Sequence, residues 1–309
     1  MSTSKDRAIV VSALKHAAPY IRLFKGKVFV IKAGGEVFID AEKTNALMEQ
    51  VGILHQVGIR VVLVHGGGPQ STELATALGF DTTFVDGRRV TDDDSLSVAT
   101  MVLNGQINTR ILATCRNLGI PAVGISGVDA GLIRAHKRPP VAREGDSPVD
   151  YGFVGDIDSV EADILRKQLE SGLMPVVSPL SCDESGTILN INADTVAAAI
   201  AAELNAEKLI LATGAAGILE DISDPSSLIS YIDRAALQKL RDSGSLADGM
   251  LPKAAAIDAA IANGVQRVHV ISSKLPDSIL LEVFTNEGTG TLVVDDIAGL
   301  TPAEQSQNT

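Results

Sequence analysis

The sequence predicts an α/β fold: an open, mainly parallel central sheet with helices on both faces. Short β-branched runs alternate with longer segments of helical periodicity along nearly the whole chain, the pattern of βα units rather than hairpins. Several runs break directly into glycine-rich loops, and in such sheets those loops gather at the carboxyl ends of the strands, where ligands bind. Hydrophobic residues make up 45% of the 309-residue chain, but aromatic ones only 3%, with no Trp. The core must therefore come from Val, Ile, Leu and Ala, as in layered helix-on-sheet packing.

Taken in order, Asp6 to Phe24 places Ile9, Val10, Ala13, Leu14, Ala17 and Ile21 near helical spacing, and Pro19 is expected to kink or divide that helix. The sheet does not need this segment, so it reads as a packed lid or as an arm gripping another subunit. Lys27 to Lys32 is the first strand and ends in Ala33-Gly34-Gly35-Glu36. A helix from Ala41 to Val57 follows, then the strand Val61 to Val64, which breaks into Gly66-Gly67-Gly68 before a helix from Gln70 to Leu78. Consecutive glycines turn sharply and leave amide groups uncovered, and a helix N-terminus behind them favours an anion.

Phe84 to Asp93 mixes β-type and turn residues around Arg88 and Arg89, with Thr91 or Asp92 suited to cap the next helix, Asp94 to Leu118. Ala122 to Ile125 is a strand. Residues 132–156 read as a hairpin insertion, with Tyr151 to Val154 strand-like. A helix from Glu161 to Ser171, a strand from Met174 to Ser178, and Asn190-Ile-Asn192-Ala-Asp194 opening an alanine-rich helix from Thr195 to Leu204 complete this half. The alternation restarts with strand Lys208 to Thr213, which ends in Gly214-Ala-Ala-Gly217, and helix Ala235 to Ser243. The loop Leu246 to Lys253 precedes a helix from Ala254 to Asn263. Strand Arg267 to Ile271, helix Ile279 to Thr285, strand Leu292 to Val294 and a polar tail from Ala303 end the chain.

Composition narrows the chemistry. The formal charge is 26 − 38 = −12 with no Lys/Arg-rich run, which disfavours nucleic acid and anionic membranes as partners. Cys115 and Cys182 lie far apart without metal-ligand spacing. No apolar run approaches the roughly 18 residues that span a bilayer, and the start lacks a signal-type apolar segment, so a soluble cytoplasmic protein is expected. No Gly-x4-Gly-Lys-Ser/Thr, Gly-x-Gly-x-x-Gly or Gly-x-Ser-x-Gly is present, which speaks against a Walker NTPase, a dinucleotide enzyme and a triad hydrolase.

What remains is anion-cradling loops plus lysines, a combination that suits phosphoryl transfer. Lys32 and Lys253 each sit beside a glycine-bearing loop and are placed to neutralise a transferring phosphoryl group, or are solvated surface lysines. Asp194 either holds those ammonium groups or is a plain helix cap. Arg88 or Arg89 suits a bidentate clamp on a carboxylate. Asn190 and Asn192 serve as amide donors or as turn formers.

The ordered set Val-Ile-Lys32-Ala-Gly-Gly, Val-His-Gly66-Gly-Gly-Pro, Arg89-Val-Thr, Tyr-Gly-Phe-Val-Gly155, Asn190-Ile-Asn-Ala-Asp194, Gly249-Met-Leu-Pro-Lys253 and Glu287-Gly-Thr-Gly-Thr-Leu-Val293 resembles the amino acid kinase family over about Tyr20 to Val294. The resemblance implies a three-layer sandwich in one domain. An N-terminal helical arm (1–25) precedes an acyl-amino-acid lobe (26–204) and a nucleotide lobe (205–296), and a polar tail (297–309) follows. It further implies ATP-dependent phosphorylation of the γ-carboxylate of N-acetyl-L-glutamate, with Mg²⁺ held mainly by the nucleotide phosphates and no dedicated protein metal cage. Lys32 and Lys253 are then catalytic and Asp194 organises them. Amides of Gly34, Gly35 and Gly66 line the phosphoryl path, and Gly67, Gly68, Arg89 and Asn190 contact the acylated substrate. Thr213, Gly214, Ala215, Gly217, Ile218, Leu219, Gly249 and Met250 border the nucleotide.

The arm is similar to the helix that joins dimers into hexamers in arginine-inhibited members. A homo-oligomer and arginine as a feedback inhibitor are therefore expected. Two positions depart from the family pattern: Gly214 stands where an Asp is usual, and Asp248 where a second Gly is usual. Both bear on nucleotide affinity, and they keep open a non-catalytic arginine-sensing role. A kinase for a related acylated amino acid is the other alternative.

Overall fold

The computed structural model describes residues 4–85, 88–143, 146–221, 223–224, 226–246, 249–286 and 288–299. Asp248, Glu287 and the tail from residue 300 lie outside the described residues.

Helix α1 (Ser4–Phe24) leads into β1 (Val28–Ala33), α2 (Ala41–Gln56), β2 (Arg60–His65), α3 (Gly68–Ala77) and a ribbon of β3 (Phe84–Val85) and β4 (Arg88–Arg89). Helix α4 (Asp93–Thr100) continues through a π-helical stretch, Met101–Asn108, into α5 (Thr109–Asn117). Next come β5 (Ala122–Ser126), β6 (Ile133–Lys137), the hairpin of β7 (Val141–Arg143) and β8 (Asp146–Val149), β9 (Gly155–Val160) and α6 (Asp163–Glu170). Strands β10 (Met174–Ser178), β11 (Leu180–Cys182) and β12 (Ile188–Asn190) then precede α7 (Ala193–Glu203). The last third holds β13 (Lys208–Thr213), β14 (Tyr231–Asp233), α8 (Arg234–Asp242), α9 (Leu251–Ala262), β15 (Val268–Ser272), α10 (Ser278–Phe284) and β16 (Thr291–Val294).

Eight strands form the central sheet in the order β14-β16-β15-β13-β1-β2-β10-β5. Among the described residues, only the β15–β16 pairing of this sheet is antiparallel. A second sheet, β12-β11-β6-β9, stands beside it. Strand alternation sorts side chains between two cores. Val30, Val62, Val64, Leu209 and Leu211 share one core with α7 and α9, whereas Phe29, Ile31, Val61 and Leu63 share the other with α2 and α5. Lys32 lies two residues beyond Val30 on the same strand and so emerges on the α7/α9 face. No helix among the described residues is long and apolar enough to cross a membrane.

The parallel sheet covered on both faces agrees with the sequence reading, and four local expectations are corrected. Pro19 does not divide α1: Lys15, whose carbonyl loses its intrahelical partner to the proline, is exposed to water there. Tyr151 to Val154 is not a strand but holds isolated bridges, Thr91–Gly152 and Val154–Asn190, because Gly152 adopts φ +71°; the strand begins at Gly155. Helix α9 starts earlier than expected, with Pro252 in its first turn, where a missing N–H costs nothing. Lys253 is therefore helical rather than in a loop. Helix α7 likewise starts at Ala193, capped by Asn192.

Candidate active site

Three elements bring the central charges together. Asn192 Oδ1 accepts from the backbone N–H groups of Asp194 (2.8 Å) and Thr195 (3.2 Å). Capping thus falls to Asn192, which frees the Asp194 carboxylate in the first turn. Lys32 Nζ lies 3.0 Å from Asp194 Oδ1, and Lys253 Nζ donates to Oδ2 at 3.0 Å. All three side chains are buried. Burial works against the charge on Asp194, yet the two ammonium groups hold its carboxyl below the usual carboxylate range. Burial, and then the Lys32 charge, lower Lys253 from its ordinary value, while Asp194 and Glu36 favour its charged form. Two cations share one internal anion, which leaves a positive surplus at the sheet edge.

The glycine loops close around that surplus. Gly66 N–H donates to the Ala33 carbonyl at 2.8 Å, tying the second loop to the end of β1. A side chain on Gly35 would meet Gln70 Oε1 at 2.6 Å, and one on Gly67 would meet Ile107 Cδ1 and Leu103 Cδ2 at 2.7 Å each. Gly68, at the start of α3, has open space. Beneath the loop, His65 is held by the Gly66 carbonyl (3.2 Å) and Asn108 Nδ2 (3.3 Å), and burial pushes its pKa down to about 4. Neutral His65 then donates from Nδ1 and accepts at Nε2.

A cavity of about 810 Å³ is lined by Lys32, Gly66, Gly67, Gly68, Arg89, Asn190 and Asp194. Residues widely separated in sequence thus converge on one space. The half-buried Arg89 guanidinium contacts the Gly68 carbonyl (3.3 Å) and Thr72 Oγ1 (2.7 Å) and lies 4.9 Å from the Phe84 ring centroid. Burial draws its pKa down. Asn190 Nδ2 donates to Thr91 Oγ1 at 3.3 Å.

The residues expected to border a nucleotide lie apart from this cavity. Thr213 ends β13 beside β1 in the sheet, and its hydroxyl accepts from Ala215 N–H at 3.0 Å. Ile218 is buried in the core, its N–H bonded to Thr291 Oγ1 at 2.8 Å, so its side chain is closed to a ligand. Gly217 is forced by Thr291 Oγ1, 2.7 Å from where a Cβ would stand. Leu219 bridges Leu228, while Gly249 and Gly214 have room around them, the latter with Lys274 Nζ 3.9 Å from its Cβ position. Met250 is the residue before α9.

Sequence reasoning missed Tyr151, Arg138 and Asp156, which also line the cavity. Arg138 Nε contacts both Asp156 oxygens at 3.1 Å, and Nη2 reaches Oδ1 at 2.6 Å. Their opposite charges flank the β7–β8 hairpin, the one signal available, but nothing in the spacing pairs them.

Residues 27–272 match the model of the amino acid kinase family. The chain belongs to the amino acid kinase family. Within the amino acid kinases, the acetylglutamate kinase of Myxococcus xanthus (strain DK1622) is 46% identical over 93% of this chain and 95% of its own length. That of Symbiobacterium thermophilum is 44% identical over 94% and 98%. Among solved structures, N-acetylglutamate synthase from Neisseria gonorrhoeae, complexed with coenzyme A and L-arginine, superimposes with TM-score 0.79 at 29% identity. The match covers 93% of this chain but only 65% of that longer protein. Isopentenyl phosphate kinase (TM-score 0.61, 20% identity) shares the fold.

Proposed function

We propose that this chain transfers the γ-phosphoryl group of ATP to the γ-carboxylate of N-acetyl-L-glutamate, giving N-acetyl-L-glutamyl 5-phosphate for arginine synthesis in the cytoplasm. The observation that carries the reading is the buried Lys32–Asp194–Lys253 set, of which Lys32 and Asp194 line one cavity with Gly66, Gly67, Gly68 and Arg89 while Lys253 is paired to Asp194 behind them. The kinase names of relatives that align over nearly the full chain support it.

In this reading Arg89 and Asn190 hold the α-carboxylate and acetamido end of the acid, with amides of Gly67 and Gly68 beside them. The γ-carboxylate then points at the loops, its nucleophilic oxygen aligned with the phosphorus. Lys32 and Lys253 neutralise charge on the transferring group, and Gly34 and Gly35 offer N–H groups along its path, whereas the Gly66 N–H is taken up by the Ala33 carbonyl and shapes the loop instead. Such catalysis is positioning and charge stabilisation, with no covalent enzyme intermediate. The donor set fits phosphate oxygens, since the cavity presents ammonium and amide groups at its centre. When bound, Mg²⁺ would be held mainly by the nucleotide phosphates and would offset their charge. Thr213 to Gly217, Leu219, Gly249 and Met250 border the nucleotide in the lobe of residues 205–296, with the buried Ile218 supporting that loop from the core, and the substrate lobe is 26–204. The α1 arm, with Ile9, Val10 and Leu14 exposed, joins copies into a homo-oligomer, a dimer or a hexamer, and arginine acts as feedback inhibitor.

The test is ADP release by purified protein with ATP and Mg²⁺, with and without N-acetyl-L-glutamate. Turnover should depend on the acid and fall at least about a hundredfold in Lys32→Ala. ATP turnover independent of the acid, or undiminished in that variant, contradicts the assignment.

A further inference from the structure

Glu36 brings a second carboxylate to the glycine loop after β1, one that the mechanism above does not use. It follows Gly34 and Gly35 in the turn after β1 and is partly buried. Its carboxylate fills the space that a Cβ on Gly34 would need, with Cδ 2.5 Å from that position. Gly34 has φ −68° and ψ 161°, a conformation open to any residue, so the backbone does not require glycine there, and what occupies the space is the movable end of the Glu36 side chain. Among the described residues no hydrogen bond or ion pair reaches that carboxylate, and it is close enough to Lys253 to favour the ammonium form. A carboxylate without a partner, folded back over the loop that the phosphoryl group must approach, raises the cost of bringing in a polyanion.

We infer that Glu36 is a charge gate: its carboxylate occupies the glycine cradle as a built-in counter-anion and must be displaced when a polyphosphate binds. It thereby sets nucleotide affinity rather than the rate of transfer. With Glu36 counted, the charges balance, two ammonium groups against two carboxylates. An incoming phosphate takes over from Glu36 the balancing of the surplus positive charge, this time by direct contact. This inference rests on the phosphoryl-transfer reading, but its first test needs no turnover.

Glu36→Gln and Glu36→Ala are compared with wild type by calorimetry, using inorganic pyrophosphate and metal-free ADP as probes, with thermal melts as a folding control. Removing the charge should tighten both probes by on the order of tenfold. In steady state KM for ATP should fall while kcat stays within about twofold, the split expected of an affinity term. Unchanged probe affinity in both variants would overturn the gate and leave Glu36 a packing residue. Weaker MgADP binding in Glu36→Gln, with metal-free ADP unaffected, would overturn it in favour of Glu36 as a ligand to the nucleotide's metal. If wild type binds pyrophosphate and the variants bind it more tightly, yet wild type shows no acid-dependent turnover, the gate survives and the assigned reaction fails.

Discussion

Replacing Asp194 by Asn tests the central electrostatics with little change in shape. The Asn192 cap and the backbone of α7 are untouched, but two ammonium groups lose their shared anion. Each stands 3.0 Å from one carboxylate oxygen, an attraction of roughly 5 kcal/mol per pair at an effective dielectric near 20. Breaking a buried pair from one side costs about 3–5 kcal/mol. The variant can limit that loss by releasing a proton from one lysine. From the ordinary value of 10.5, release at pH 7 costs at most about 5 kcal/mol, and less for Lys253, which is already lowered. We therefore expect Asp194→Asn to lose about 3 kcal/mol in urea unfolding at pH 7. Lys253 has a folded pKa below its unfolded value, so the charged lysine penalises the fold as pH falls and ceases to do so as pH rises. The deficit should shrink to about half by pH 10. A deficit below about 1 kcal/mol, equal at both pH values, would refute the reasoning.

His65 gives a separate acid signature. Its folded value near 4 lies below the ordinary 6.5, so the unfolded chain takes up the proton first. The stability it supports is intact above pH 6.5 and lost towards pH 4, by about 3 kcal/mol; the gap between wild type and His65→Gln should narrow by that amount in urea melts over this range. Gly67→Ala should cost about 1–3 kcal/mol through the Ile107 and Leu103 contacts at 2.7 Å, read as a lower thermal midpoint; an unchanged midpoint would mean the loop yields freely. Leu14→Glu, on a side chain 65% exposed in α1, should reduce the assembly's mass in light scattering without changing the helical circular dichroism of the subunit. An unchanged mass would place the interface elsewhere.

Much of the fold was legible because period and punctuation agreed: β-branched runs ending in glycine at Ala33, His65 and Thr213 became neighbouring parallel strands. The strands at Leu180, Ile188 and Tyr231 were not, since they span only three residues each, too short for alternation to register. At the site, residue types on glycine loops pointed to Lys32, Asp194 and Lys253. Their mutual contact depends on α7 packing beside α9, which no local pattern specifies. The roles of Asn192 and Asp194 could not be separated by sequence, because both precede the same helix and both are good caps. Glu36 was invisible for a related reason: only the folded turn carries its carboxylate back over Gly34.

The most direct measurement is trapping the product with hydroxylamine after incubation with ATP, Mg²⁺ and N-acetyl-L-glutamate. Phosphoryl transfer to the γ-carboxylate gives an acyl phosphate, which hydroxylamine converts to a hydroxamate in step with ADP release. Equal amounts of hydroxamate and ADP, both lost in Lys253→Ala, are the expected result. ADP released with inorganic phosphate and no hydroxamate would contradict the assigned reaction.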